Sequence, residues 1–119
     1  MPKLEPGRII FVETLDHQGR NPKKRPFVVI SDNDAIGAGD ILVCAAITRQ
    51  IPTKPDPDYI EIPYSNSGGG ETGLRARCAV HCGWLEKIDQ EQITERDLGG
   101  MVSPAHFDRI MERLRKRPK

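Results

Sequence analysis

The sequence predicts a mainly β fold, a small and strongly curved barrel closed by one C-terminal α-helix. Five short apolar stretches of strand-like composition follow one another with little chain between them. Turn chemistry rich in Gly, Pro, Asn and Asp separates them. Only the last segment, from Ser103 onward, repeats its apolar residues at helical spacing. At 119 residues the chain fits one compact domain, residues 1–119, and shows no internal repeat or linker.

The first strand is Arg8-Ile9-Ile10-Phe11-Val12-Glu13, led in by Pro6-Gly7. Residues 14–24 hold Gly19 and Asn21-Pro22 and read as a long loop. Pro26-Phe27-Val28-Val29-Ile30 is the second strand, with proline at its first position, where a missing donor is tolerated. Residues 31–40 form a turn-rich connector. Ile41-Leu42-Val43-Cys44-Ala45-Ala46-Ile47 is apolar throughout, as a strand buried on both faces would be. A proline-rich joint over residues 52–57 leads to Tyr59-Ile60-Glu61-Ile62, which alternates like a half-exposed strand.

Residues 65–73 carry Gly68-Gly69-Gly70 and read as a flexible loop. The fifth strand spans 75–84, bending at Gly83. Strict alternation puts Cys78, Val80, Cys82 and Trp84 on one face and Arg75, Arg77, Ala79 and His81 on the other. Residues 89–94 suit one short helical turn. In the C-terminal helix Ser103 is the N-cap and Pro104 the first helical residue. Phe107, Ile110, Met111 and Leu114 then make its core face.

Composition removes several classes. No uninterrupted apolar run approaches the ~18 residues that span a bilayer. The N-terminal Met1-Pro2-Lys3-Leu4-Glu5 lacks the apolar core of a secretory signal. Three cysteines are too few, and odd in number, for a disulfide scaffold, so the expected compartment is the cytoplasm with reduced thiols. Eighteen Lys and Arg against 17 Asp and Glu give a net charge of +1, unlike a general polyanion binder. The charge is uneven, however. Residues 19–31 hold Arg20, Lys23, Lys24 and Arg25 with no acid, residues 109–119 hold six cations against Glu112, and residues 86–97 hold five acids against two cations.

Metal and nucleophile motifs fare poorly. Strand parity turns His81 away from Cys78 and Cys82, and no fourth ligand lies nearby, so no metal site is expected. No Gly-x-Ser-x-Gly elbow is present, and the triple glycine lacks the Lys-Ser/Thr of a phosphate cradle. Two segments stand out instead. Lys23-Lys24-Arg25-Pro26 stacks cations at the mouth of a strand, and Thr48-Arg49-Gln50 brings a hydroxyl, a guanidinium and an amide to the end of another. If the two strands are neighbours, Arg25 and Thr48 face a common point. The other reading of the same residues is a solvated loop beside an ordinary strand end.

The chain resembles the MazF/PemK family of toxin endoribonucleases. The resemblance runs through Pro6-Gly7-Arg8-Ile9-Ile10-Phe11-Val12, Lys24-Arg25-Pro26-Phe27-Val28-Val29-Ile30 and Ala46-Ile47-Thr48-Arg49-Gln50. It continues with Tyr59-Ile60-Glu61-Ile62-Pro63, Gly73-Leu74, Trp84-Leu85-Glu86-Lys87-Ile88-Asp89 and the helix opening at Ser103-Pro104. One departure is Trp84-Leu85-Glu86, an acid where many members carry the cation of Gln-Ile-Arg.

The resemblance implies an SH3-like β-barrel of the CcdB/MazF type, a homodimer, and a cognate antitoxin protein as partner. It implies cleavage of single-stranded RNA with no metal or other cofactor, the RNA's own 2′-OH attacking phosphorus. Arg25 and Thr48 are then the catalytic pair, and Arg20, Lys23, Lys24, Arg49 and Gln50 the RNA-binding residues. His17 is a candidate acceptor for the 2′-OH proton, or simply an exposed loop histidine. Two competing readings keep the barrel without the nuclease: a CcdB-like gyrase-binding toxin and a non-catalytic RNA-binding barrel.

Overall fold

The computed structural model describes residues 3–16 and 18–117. Six strands form one antiparallel sheet: β1 (Arg8–Thr14), β2 (Lys23–Val29), β3 (Leu42–Thr48), β4 (Tyr59–Ile62), β5 (Cys78–Ile88) and β6 (Leu98–Met101). Their spatial order is β4-β5-β3-β2-β1-β6. A short helix α1 (Asn33–Gly37) lies between β2 and β3, and α2 (Pro104–Lys116) ends the chain. The mainly β architecture with a C-terminal helix is as the sequence predicts.

Alternate residues of the same strands feed two separate cores, which follows from the two-residue period of a strand. Ile9, Val28, Ala45, Ile47, Val80 and Cys82 point one way, where Ile110 of α2 packs on them with Phe107 and Leu114 alongside. Ile10, Val12, Phe27, Val29, Cys44 and Ala46 point the other way, under Leu4, Ile36, Trp84, Ile93 and Leu98. Because β3 lies between β2 and β5 and serves both cores, its continuous apolar run is explained. Ser103 caps α2 through its hydroxyl, with Pro104 at the first turn.

Four expectations need correction. The fifth strand starts at Cys78, not residue 75, and runs on to Ile88. Within it the pairing jumps from Ala46↔His81 to Ala45↔Leu85, so Cys82, Gly83 and Trp84 bulge out of register. The bulge flips parity, and Trp84 joins the second core edge-on to Phe27 at 6.3 Å instead of siding with Cys82. Next, α1 forms within the turn-rich connector of residues 31–40, and β6 is a sixth strand where five are expected. The second strand begins at Lys23, which puts Pro26 inside it.

The fourth correction concerns residues 65–73, which are tethered rather than loose. Ser65 N–H donates to Leu74 O at 2.9 Å and the Thr72 hydroxyl to Pro63 O at 2.8 Å. Gly100 and Met101 of β6 donate their N–H groups to Thr72 O and Glu71 O. The segment thus carries the barrel wall round from the β4 edge to the β6 edge. It does so only because position 100 lacks a side chain: a Cβ there would lie 2.0 Å from Glu71 O and 2.4 Å from the Thr72 carbonyl carbon. Backbone cannot yield as a flexible side chain can. Gly100→Ala is expected to destabilise the fold by about 3 kcal/mol, measured by urea denaturation. Gly37→Ala, in open space, is the mild control.

Candidate active site

The site begins with a missing hydrogen bond. Ile30 N–H donates to Val43 O across β2 and β3, so the even-numbered residues of β2 present their N–H groups to β3. Pro26 falls in that series and has no N–H to give. Pairing with β3 accordingly extends only from Val29↔Cys44 to Phe27↔Ala46. Continued two residues beyond its last pair, the same register sets Arg25 opposite Thr48. Both share the face of Phe27 and Ala46, so the two predicted residues are brought to one side of neighbouring strand ends.

Arg25 is only 8% exposed. Its Nη1 donates to Thr14 O at 3.1 Å and its Nη2 to Asn21 O at 2.8 Å. Among the described residues it makes no ion pair. The loop between β1 and β2 exists in this shape because Asp16 organises it. Asp16 Oδ1 accepts from the N–H groups of Gln18 and Arg20, at 2.9 and 2.8 Å, and Oδ2 from the Asn21 side-chain amide at 2.9 Å. Asn21 takes a left-handed backbone, φ 53°, which turns the chain back toward Arg25. The Arg20 N–H is the main group holding the Asp16 carboxyl below its ordinary pKa, with the Arg25 charge a smaller contributor.

Thr48 is half-buried, and its hydroxyl oxygen accepts the Gln50 N–H at 3.0 Å while keeping its own proton to donate. Thr14, which reads as plain loop in the sequence, brings a third polar group to this corner. It pairs with Lys23, and its buried hydroxyl has no hydrogen-bond partner among the described residues. Strand parity places it on the Arg25 side.

The remaining predicted residues divide. Arg20, Lys23, Arg49 and Gln50 are exposed around the strand ends. Lys24 lies opposite Glu13 on the reverse side of β2, its Nζ 2.6 Å from Asp97 Oδ1, and so is not brought to the Arg25 side. His17 lies outside the described residues. Glu86 pairs with Cys44, four residues from Thr48 and so about 13 Å along β3. It accepts a hydrogen bond from Trp84 Nε1 at 3.0 Å, which keeps the departing acid away from Arg25.

The thiols are inert core groups. Burial pushes Cys44 up to about 12 and Cys82 up to about 11, so both stay protonated near neutrality. Cys78 and Cys82 lie in the first core, while His81 faces the other side, stacked on Tyr59 at 4.3 Å. That Tyr59–His81 stack is a feature sequence reasoning missed. Cross-strand pairing, invisible before the register is known, creates it.

A model of the family described as PemK-like, MazF-like toxin of type II toxin–antitoxin system matches residues 5–117. No curated protein sequence matches significantly. Among solved structures, an endoribonuclease in complex with its cognate antitoxin, from a mycobacterial species, superposes with a TM-score of 0.69 at 16% identity, covering 94% of this chain and 91% of its own. A MazE–MazF complex of Deinococcus radiodurans gives 0.65 at 13% identity, over 93% and 90%. Toxin MazF-mt6 of Mycobacterium tuberculosis gives 0.63 at 16% identity, over 90% and 92%. At such identities these likenesses establish the fold, and it is the MazF-type barrel expected.

Two outcomes follow from the electrostatics and from the orphan hydroxyl. Hydrogen bonds from Arg117 and Arg113 hold the Asp58 carboxyl below the ordinary 3.8, and the Lys24 ammonium and the Thr94 N–H do the same for Asp97. A carboxyl depressed on folding stabilises the protein above its unfolded-state value, and that contribution is lost as pH falls through the lower folded value. The urea midpoint should therefore drop once pH goes below about 3.8, and less steeply in Asp97→Asn. Thr14→Val, which removes an unsatisfied hydroxyl, should raise stability by about 1 kcal/mol in the same assay.

Proposed function

Because this chain belongs to the PemK-like, MazF-like toxin family of type II toxin–antitoxin systems, we propose that it is an endoribonuclease acting on single-stranded RNA. One observation carries the reading: a guanidinium nine-tenths buried, held by two carbonyls and, among the described residues, in no ion pair. A charge taken out of water at that cost needs an anion, and a phosphodiester between Arg25 and Thr48 supplies one.

In this mechanism the RNA 2′-oxygen bonds to the adjacent phosphorus as the bond to the 5′-oxygen breaks. The 2′-hydroxyl proton passes to solvent, and the departing 5′-oxygen takes a proton from solvent. DNA lacks the attacking group, so only RNA is cut. The protein supplies no nucleophile and needs no metal. Arg25 neutralises charge building on the phosphoryl oxygens, and Thr48 donates its hydroxyl proton to the same oxygens. The two carbonyls on Arg25 fix the guanidinium before substrate arrives, so no reorganisation is required during the reaction. Exposed Arg20, Lys23, Arg49 and Gln50 hold neighbouring phosphates and sugars, contacts that give affinity without sequence preference.

The assembly belongs to the same proposal. Residues 1–119 act as one domain, paired as a homodimer in the cytoplasm. A cognate antitoxin presents an acidic, disordered segment to the cations around Arg25 and excludes RNA by charge competition.

The test is a long single-stranded RNA incubated with the purified protein in EDTA. Fragments ending in 2′,3′-cyclic phosphate are expected. Thr48→Val should slow cleavage about 10²–10³-fold, the usual loss for one such donor, and Arg25→Gln should lose at least as much with unfolding midpoints preserved. Undiminished cleavage by Arg25→Gln would falsify the assignment. Gyrase association without RNA fragments would favour the CcdB-like alternative.

A further inference from the structure

A cleft of about 650 Å³ lies between the proline-rich segment after β3, strand β4 and the second half of α2. Resting on the nuclease reading, we infer that this cleft is a second RNA subsite, which holds the nucleotides flanking the one cut at Arg25 and Thr48.

Position is the first argument. Pairing across the sheet lines up Val12, Arg25, Thr48, Ala79 and Glu61 in one row on one face, the Arg25–Thr48 step by continuing the β2–β3 register. Thr48 and Glu61 are two strand spacings apart, about 10 Å, on either side of the fully buried Ala79. Along the chain the connection is as short: Thr48, Arg49 and Gln50 run directly into Ile51 and Pro52 of the cleft wall. A strand running from Arg25 and Thr48 toward Ile51 and Glu61 arrives in the cleft.

Charge is the second. Three of the lining cations are already paired, Arg77 with Glu61, Arg113 with Asp58 and Lys116 with Glu112. Lys54 and Arg109 line the same cleft, are exposed, and make no ion pair among the described residues. Two unengaged cations on opposite walls suit successive phosphates. The third argument is the Tyr59 ring, which lines the cleft and is held in place by stacking on His81 at 4.3 Å and 16°. A preset aromatic plane is a platform for any base. The wall itself is stiffened by Pro52, Pro55 and Pro57. A strongly acidic peptide and a nucleic acid meet the same Asp56, Glu61 and Glu112 carboxylates, but only the nucleic acid has bases to lay on the Tyr59 ring, so the ring favours a nucleic acid strand.

The test compares the wild type with a Lys54→Ser/Arg109→Ser double variant, both sites being exposed. Uncleavable 2′-O-methyl RNA of 4 and 12 nucleotides is followed by fluorescence anisotropy over a salt series. The wild type should bind the 12-mer more tightly than the 4-mer. The double variant should bind the 12-mer about tenfold more weakly, with a log–log salt slope flatter by about 1.4, the share of two phosphate contacts on a single strand. Tyr59→Leu should weaken 12-mer binding without altering that slope.

Wild-type affinity and slope in the double variant would overturn the subsite, as would a wild type that does not distinguish the two lengths. A variant that loses binding to an alternating Glu-Leu peptide yet keeps the 12-mer would also overturn it, and would mark the cleft as a protein-docking face. Cleavage of long RNA by the wild type is scored separately. Length-dependent, Lys54- and Arg109-dependent binding without cleavage would retain the subsite and reject the nuclease.

Discussion

Strands β2 and β3 are held together by a ladder that loses its next rung at Pro26, and the disposition of the polar corner depends on that loss. Had residue 26 offered an N–H, pairing would run on to the strand ends and close Arg25 and Thr48 into a continuous sheet. The proline ends it at Phe27↔Ala46 and still fits on the β1 side, where it lies opposite Phe11. A residue that costs a sheet one bond here leaves two polar strand ends unpaired with each other.

The same corner explains why an arginine is placed there. A lysine offers a compact point charge on one nitrogen; the Arg25 guanidinium reaches the Thr14 and Asn21 carbonyls through two nitrogens of one plane and keeps further N–H groups for a ligand. The Asp16-centred loop is the support for that arrangement, since it fixes the carbonyl that Arg25 Nη2 binds. Positions that touch no substrate thus govern the orientation of the group that would.

Much of this was legible in the chain beforehand. Alternation and composition locate the strands near Ile9, Val28, Ala45 and Ile60, and the Ser103-Pro104 opening with Ile110 and Leu114 locates α2. Two kinds of feature were hidden. Leu98-Gly99-Gly100-Met101 has little β propensity and becomes a strand through its pairing with β1, with its bare Gly100 also receiving the backbone of residues 71 and 72. The bulge at residues 82–84 likewise depends on the pairing of β5 with β3, which no local pattern encodes. For the site, Arg25 and Thr48 were visible as strand-end residues, but the burial of Arg25 was not. The sidedness of Lys24 is hidden because the sequence pattern starts the strand at Pro26, three residues after its actual beginning at Lys23.

The docked segment between β4 and β6 also divides tolerance from intolerance within a few residues. Its far end is bound through backbone atoms at Glu71 and Thr72, whereas Asn66, Gly69 and Gly70 at its crest are exposed. Extra residues spliced into that crest would lengthen a surface arch at small entropic cost, and the seam beneath would keep its spacing. The crest is therefore the natural graft point for a reporter or affinity tag on this molecule, far in chain terms from the strand ends at Arg25 and Thr48.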